Sequence, residues 1–149
     1  IKPEEIFPYF KSVQAAFYAH RQDALRHQEY LNWLNQVLNS DEAFGISDLV
    51  LSGFLRMVTH PRVFRDPTPL SLAQEFVVVI HDHPNAVTVS PGERHWDIFW
   101  RLCQEVNAKG NLIADAYLAA LAIEAGAEWI TTDRDFTRYP LLRWKHPLA

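Results

Sequence analysis

Four aspartates carry the chemistry of this 149-residue chain: Asp48, Asp115, Asp133 and Asp135. Asp115 interrupts an otherwise apolar, small-residue run from Leu112 to Ile123, and Asp133-Arg134-Asp135 directly follows Glu128-Trp129-Ile130-Thr131-Thr132. An α/β fold brings a helix start and a strand end together at such positions. Carboxylates held close repel one another unless a cation lies between them. A divalent metal site with Asp115 and Asp133 as ligands is therefore the first expectation.

Each acid also has a plainer reading. An acid in the first turn of a helix gains about 0.3–1 kcal/mol from the helix dipole, and the spacing puts Asp115 there. The dipole does not account for Ala114, Ala116 and Ala119, whose small side chains leave room for a ligand to approach. Asp133-Arg134-Asp135 has the composition of a turn closed by its own side chains. Asp135 has three roles open: a direct ligand, a support for Asp133, or a cap for the next turn. Asp48 follows Ser47 at a helix start, a common place for an acid. In the company of two strand-end acids it becomes a third ligand, with Ser52 one helical turn on along the same face. The seven histidines are dispersed, and His81-Asp82-His83 reads as a solvated loop before Pro84. Cys103, among Phe99, Trp100 and Leu102, reads as a core thiol. No glycine-rich phosphate loop or nucleophile elbow is present.

The elements that must position these acids follow from periodicity. Leu25, Tyr30, Leu31, Leu34 and Leu38 recur at helical spacing, which predicts a helix over Ala24 to Leu38. Ala43 to Ile46 reads as a short strand, and Ser47 as the cap of a helix from Asp48 to about Val58, which Pro61 stops. Ser71 to Ile80 reads as a helix despite the strand-like Val77-Val78-Val79-Ile80. Ala86 to Val89 is a strand. Pro91-Gly92 opens a helix through about Val106 with Trp96, Phe99, Trp100 and Leu102 inward. Asn111 is the expected cap of a helix Leu112 to Ala125 that Gly126 ends. Trp129 to Thr132 and Leu142 to Trp144 are the last strands. This alternation implies an α/β fold, a parallel sheet with helices on both faces. In such sheets ligands gather outside the carboxyl ends of the strands.

The bulk numbers set the bounds. The chain is 48% hydrophobic and 21% charged, the balance of an ordinary globular domain able to bury its own core. No stretch reads as a membrane span, and Ile1-Lys2-Pro3-Glu4-Glu5 does not read as a signal peptide. One cysteine fits a reducing, cytoplasmic compartment. A net charge of −4 argues against a broad basic nucleic-acid platform, though bound cations can offset a carboxylate cluster locally. Basic residues group at Arg56, His60, Arg62 and Arg65 and again at Arg134, Arg138, Arg143, Lys145 and His146; either group also reads as a solvated face.

The stretches Gly45-Ile46-Ser47-Asp48-Leu49-Val50-Leu51-Ser52-Gly53-Phe54-Leu55-Arg56, Thr59-His60-Pro61-Arg62-Val63-Phe64 and Pro91-Gly92-Glu93-Arg94-His95-Trp96 form an ordered series. It continues through Asn111-Leu112-Ile113-Ala114-Asp115-Ala116-Tyr117-Leu118-Ala119-Ala120-Leu121-Ala122 and Thr131-Thr132-Asp133-Arg134-Asp135-Phe136. Taken together, from about Tyr18 to Leu148, the chain resembles the PIN domain ribonucleases, specifically the VapC-type toxins of toxin–antitoxin pairs. The resemblance implies a single three-layer α/β/α domain over residues 1–149 with a central, mostly parallel sheet, residues 1–17 being atypical. It implies a metal-dependent endoribonuclease using Mg²⁺ or Mn²⁺, with Asp48, Asp115 and Asp133 as catalytic metal ligands and Asp135 as a further ligand. It also implies an RNA substrate, a cognate antitoxin, a homodimer and no membrane, with Arg56 and Arg134 as candidates for phosphate contact.

One departure bears on activity. Ser12 and Gln14 stand where the family carries an Asp and an Asn, and Pro8 falls within the expected central strand, where a missing backbone donor is poorly tolerated. Asp23 would need a different register to substitute. A catalytically degenerate PIN-like module that binds RNA or protein is the rival reading. An acid-pocket phosphotransfer receiver shares strand-end aspartates but requires a lysine after a late strand that this chain lacks.

Overall fold

A computed structural model describes residues 8–10 and 13–149, with side chains from residue 15 onward. In chain order the elements are β1 (Pro8–Phe10), α1 (Val13–His20), α2 (His27–Asn39), β2 (Phe44–Ile46), α3 (Asp48–Val58), α4 (Leu70–His81) and β3 (Ala86–Thr88). They continue with α5 (His95–Val106), α6 (Asn111–Ala125), β4 (Glu128–Ile130), a 3₁₀ turn (Arg134–Arg138) and β5 (Trp144–Lys145). Among the described residues one sheet has the order β3-β2-β1-β4-β5, and every neighbouring pair is parallel. β1 is central, pairing Tyr9 with Gly45 on one side and with Trp129 on the other. Right-handed crossovers then put α1 to α4 on one face and α5 and α6 on the other. The strand order reverses beside β1, so the crevice at the carboxyl ends of β1 and β4 is where this topology favours a ligand.

Pro8 opens β1 opposite Glu128 instead of lying inside the strand. A proline is tolerated at a strand's first residue. The helix α1 has no counterpart among the expected elements. α2 starts three residues later than periodicity suggests because Arg26 adopts a left-handed backbone, φ 58°, and Leu25 is 84% exposed. Ser47 occupies the position before α3, but its hydroxyl makes no capping bond, and Asn111 is already helical, with Gly110 at φ 57° before it. Gly126 does end α6, in the left-handed conformation at φ 67°.

On α5 the inward face is His95, Phe99, Leu102 and Cys103, a spacing of four, seven and eight residues. Trp96 and Trp100 lie one position further round and are 65% and 55% exposed, which corrects the expectation that both point inward. Cys103 is a buried thiol, as expected, and burial raises its pKa. α4 is helical through its valine run. Among the described residues, no helix is long and apolar enough to cross a membrane.

Two large hydrophobic clusters hold the layers, with a smaller one of Phe54, Val58 and Ala73 between α3 and α4. One joins Phe99, Leu102, Ala116, Ala119, Leu121, Trp129, Phe136 and Tyr139; the other joins Ala19, Tyr30, Leu34, Phe44, Ile46 and Ile80. α5 and α6 are further tied by Glu124, whose carboxylate accepts from the backbone N–H groups of Gly92 (2.6 Å) and Arg94 (2.9 Å). These are orphan donors before α5, since that helix has no side-chain cap of its own. A Cβ on Gly92 would lie 2.7 Å from the Glu124 carboxylate, so a larger residue there would displace that carboxylate from its present seat. Glu124→Ala is expected to cost about 1–2 kcal/mol and to lower the melting temperature by roughly 2–8 °C. A thermal transition within one degree of wild type would remove this role.

His20 is packed against Phe76 (4.8 Å between ring centroids) and edge-on to Phe54 (5.5 Å), with Nε2 3.1 Å from the Thr68 hydroxyl. Burial lowers its pKa, and Arg21 and His27 lower it further. The folded state therefore prefers the neutral ring, whereas the unfolded chain titrates near about 6.5. This contribution is fully present above that value and is lost as pH falls through the lower folded pKa. Urea midpoints of the wild type should drop between about pH 7 and pH 5, and His20→Phe should flatten that drop; parallel profiles would refute it.

Candidate active site

Asp115 lies five residues into α6, beyond its first turn. The helix dipole is therefore not what the acid answers to. Ala116 and Ala119 are fully buried. Their small size serves close packing of α6 against the core, not an open approach for a ligand, which corrects that expectation. Ala114 is exposed.

Asp133 follows β4 after Thr131 and Thr132. Its backbone N–H donates to the Thr131 hydroxyl at 3.0 Å, and its carboxylate accepts from the Asp135 N–H at 2.8 Å. The turn chemistry visible in Asp-Arg-Asp is thus present, with Asp133 and not Asp135 as the cap of the 3₁₀ turn. That turn is anchored by a buried aromatic row: Trp129 to Phe136 at 5.6 Å and Phe136 to Tyr139 at 5.9 Å.

Tyr139 ends the row, and it joins the two acids. It is 1% exposed, and its hydroxyl has no hydrogen-bond partner among the described residues. Its pKa is pushed up to about 12, first by burial and then by the negative charges of Asp115 and Asp133. Two carboxylates that both act on one buried phenol stand at the same end of the molecule. Sequence reading missed Tyr139; the available signal was an aromatic three residues after Phe136, the spacing that keeps both on one side of a 3₁₀ turn.

The other two acids are held differently. The Asp48 side chain is 72% exposed and accepts from His81 Nε2 at 3.2 Å, while His81 Nδ1 pairs with Asp82 at 2.9 Å. Asp82 raises the His81 pKa, and Asp48 adds to that rise. His81 is thus the last residue of α4 with two carboxylate partners, not part of a solvated loop. Asp48 also borders a small cleft with Ser90, Pro91 and Tyr117, the last two residues along from Asp115. Asp135 is 71% exposed and 3.9 Å from Arg138. Ser52 is exposed on α3. Among the described residues no three His, Cys, Asp or Glu side chains stand close enough to hold a metal ion together. The Ser12 and Gln14 side chains lie outside the described residues. Asp23 is on the surface, paired with Arg21 at 2.7 Å.

The expected basic groups divide. Arg56 and Arg62 are exposed along and beyond α3. Arg143 donates to the Gly126 carbonyl at 2.8 Å. Arg134 and His146 remain near Asp133: burial lowers the His146 pKa, and Arg134 and Arg26 lower it further.

The model of the PIN domain family matches residues 14–142. The chain belongs to the PIN domain family. It is 46% identical over 136 residues to ribonuclease VapC43 of Mycobacterium tuberculosis, covering 91% of this chain and 92% of that one. It is 36% identical over 135 residues to ribonuclease VapC25 of the same organism, covering 91% and 95%. Among solved structures, a chain of VapBC2 from Rickettsia felis, crystallised with a DNA fragment from its promoter, superposes with a TM-score of 0.67 at 18% identity. That match covers 95% of this chain and 98% of that one and supports the fold.

Because the Tyr139 hydroxyl is buried without a partner among the described residues, Tyr139→Phe is expected to be neutral or to stabilise the protein by about 1 kcal/mol in urea unfolding. A loss of more than 1 kcal/mol would show that the hydroxyl is satisfied.

Proposed function

We propose that this protein is a VapC-type ribonuclease that cleaves RNA phosphodiesters with Mg²⁺ or Mn²⁺, and that Asp115 and Asp133 hold the cation. The observation that carries the reading is the parallel topology that sets the amino-terminal half of α6, with Asp115, beside the carboxyl end of β4, with Asp133, where both acids act on the Tyr139 phenol. Their donor set is all oxygen, which suits a hard divalent cation and not a soft one. The named ribonucleases that this chain resembles at 46% and 36% identity support the activity. Asp48 completes the catalytic acids in this reading, and Asp135 a wider ligand set.

When bound, the cation would lower the pKa of a water and offset charge on the phosphate in in-line attack. The chain supplies position. Asp133 is oriented by the Asp135 N–H, and Asp115 by a helix buried on its alanine face. Tyr139 keeps its proton through the neutral range, so it adds no negative charge to the pair. Asp48 would exchange its His81 contact for the cation. A cognate antitoxin and a second copy of the chain are part of the same proposal.

One observation favours a second reading, a PIN-like module that binds RNA without cutting it: no three-acid group exists among the described residues. Ser12 and Gln14, at the family's Asp and Asn positions, agree with it. Cleavage of RNA and the melting temperature, each with and without Mg²⁺ or Mn²⁺, separate the two. The nuclease reading expects a rise in melting temperature at saturating metal, about 2.7 kcal/mol of stabilisation at one hundred times Kd. It also expects cleavage that Asp115→Asn abolishes together with that rise. Neither cleavage nor a metal-dependent shift in the wild type would leave the binding module.

A further inference from the structure

An open cleft of about 530 Å³ lies between the loop joining α1 to α2 and the carboxyl ends of β4 and β5, with Tyr18, Arg26, Tyr30, Thr132, Asp133 and His146 on its walls. Its size falls in the range of about 300–1,000 Å³ typical of sites for small organic groups. Tyr18 and Tyr30 stack at 4.9 Å and 27°, and Tyr30 lies 6.3 Å from the His146 ring. One side of the cleft is therefore aromatic. Arg26 brings a guanidinium to this wall and His146 an imidazole, both beside Asp133. Glu29 accepts from Arg26 Nε at 2.8 Å and also from Nη2, which fixes the guanidinium plane. Arg26 holds this place in a left-handed backbone at φ 58°, a conformation that costs a non-glycine residue roughly 1–2 kcal/mol.

We propose that this cleft holds one nucleotide of a single-stranded RNA, its phosphate on the Arg26 guanidinium with His146 as a neutral hydrogen-bond donor, and its base against Tyr18, which Tyr30 backs from the core. The assignment rests on the ribonuclease reading for the identity of the ligand. Its own content is the juxtaposition of the Arg26 guanidinium, the His146 imidazole, an aromatic wall and Asp133 within one cavity. A strand whose scissile phosphate met the acids would lay its neighbouring nucleotide here. Aromatic faces accept any base, whereas the guanidinium reads only the backbone.

Arg26→Gly is the informative variant, because glycine occupies the left-handed backbone without strain while the guanidinium is lost. Binding of a fluorescent single-stranded oligoribonucleotide is measured by anisotropy in EDTA, where metal-dependent cleavage is absent. Arg26→Gly is expected to raise Kd about five- to tenfold. The slope of log K against log salt should shrink by about 0.7, the value for one phosphate contact on a single strand. Its melting temperature should be unchanged or higher, because glycine relieves the left-handed backbone while only an exposed ion pair to Glu29 is lost. Tyr18→Leu is expected to weaken binding with the salt slope unchanged.

An unchanged Kd and slope in Arg26→Gly overturns the subsite. Binding of adenosine 5′-monophosphate as tightly as the oligomer overturns the assignment to an RNA strand. Arg26-dependent binding in EDTA by a protein that cleaves nothing in Mg²⁺ supports the subsite while the nuclease reading alone fails. Cleavage that persists with no Arg26 dependence of binding does the reverse.

Discussion

A helix whose inner face is alanine can approach its neighbours more closely than one faced with leucine, and α6 fixes the geometry of this protein by doing so. Ala116, Ala119, Ala120 and Ala122 are fully buried. They bury little apolar area each, so the driving force in this layer comes from Phe99, Leu102, Leu121, Trp129 and Phe136. The alanines set distance instead. Asp115 rides on the border of that face and is carried with it toward Tyr139. An enlarged side chain at Ala119 would have to shift the helix, because close-packed interiors do not absorb extra methylenes without strain. The position of the acid is thus a consequence of packing several residues away from it.

The same end of the molecule is arranged around an electrostatic conflict. Asp115 and Asp133 both act on one buried phenol, and Tyr139 responds by holding its proton. Asp133 gains some compensation as a cap, accepting the Asp135 N–H, and Arg134 stands next to it in sequence. Across the cleft, Arg26 supplies the opposite sign. An acidic pocket with a basic rim suits a ligand that is itself divided in charge, a cation bridged to a phosphodiester. Neither a metal store nor a broad basic nucleic-acid platform would call for both.

Most of the architecture was legible because it follows from periodicity and punctuation. α3, α4, α6 and β2 to β4 fall where apolar spacing, Pro61 and Gly126 put them. What was not legible depended on single backbone states or on the rotation of a helix. Arg26 in the left-handed region delays α2, which no propensity scale anticipates. A turn of about 100° separates Phe99 from Trp100, so an aromatic cluster on α5 splits into an inner and an outer half. For the site, Asp115 and Asp133 were legible as a pair, since topology alone brings α6 and the end of β4 together. Tyr139 and the His81 contact to Asp48 were not, because a core phenol and a helix-end imidazole carry no motif. The family likeness supplied the remaining acids, and the departure at Ser12 and Gln14 lies where the structure is not described.

The acids differ in what holds them, and that difference orders how the centre could assemble. Asp115 is fixed by a packed helix and Asp133 by a hydrogen-bonded turn over the Trp129, Phe136 and Tyr139 row. Asp48 is fixed by one contact to a side chain that is itself 42% exposed. Exposed ion pairs contribute about 0–1 kcal/mol, because water screens them and holding two flexible side chains costs entropy. A hard cation offers a carboxylate far more than an exposed imidazole does. In the proposed nuclease a cation would therefore displace His81 from Asp48, and His81 would keep Asp82 as its partner. The half-buried pair Asp115 and Asp133 would define where a cation binds, and the surface acid would join it without disturbing the core. An acid held this loosely can serve a site only if the others are rigid, which is the division of labour that these packing environments establish.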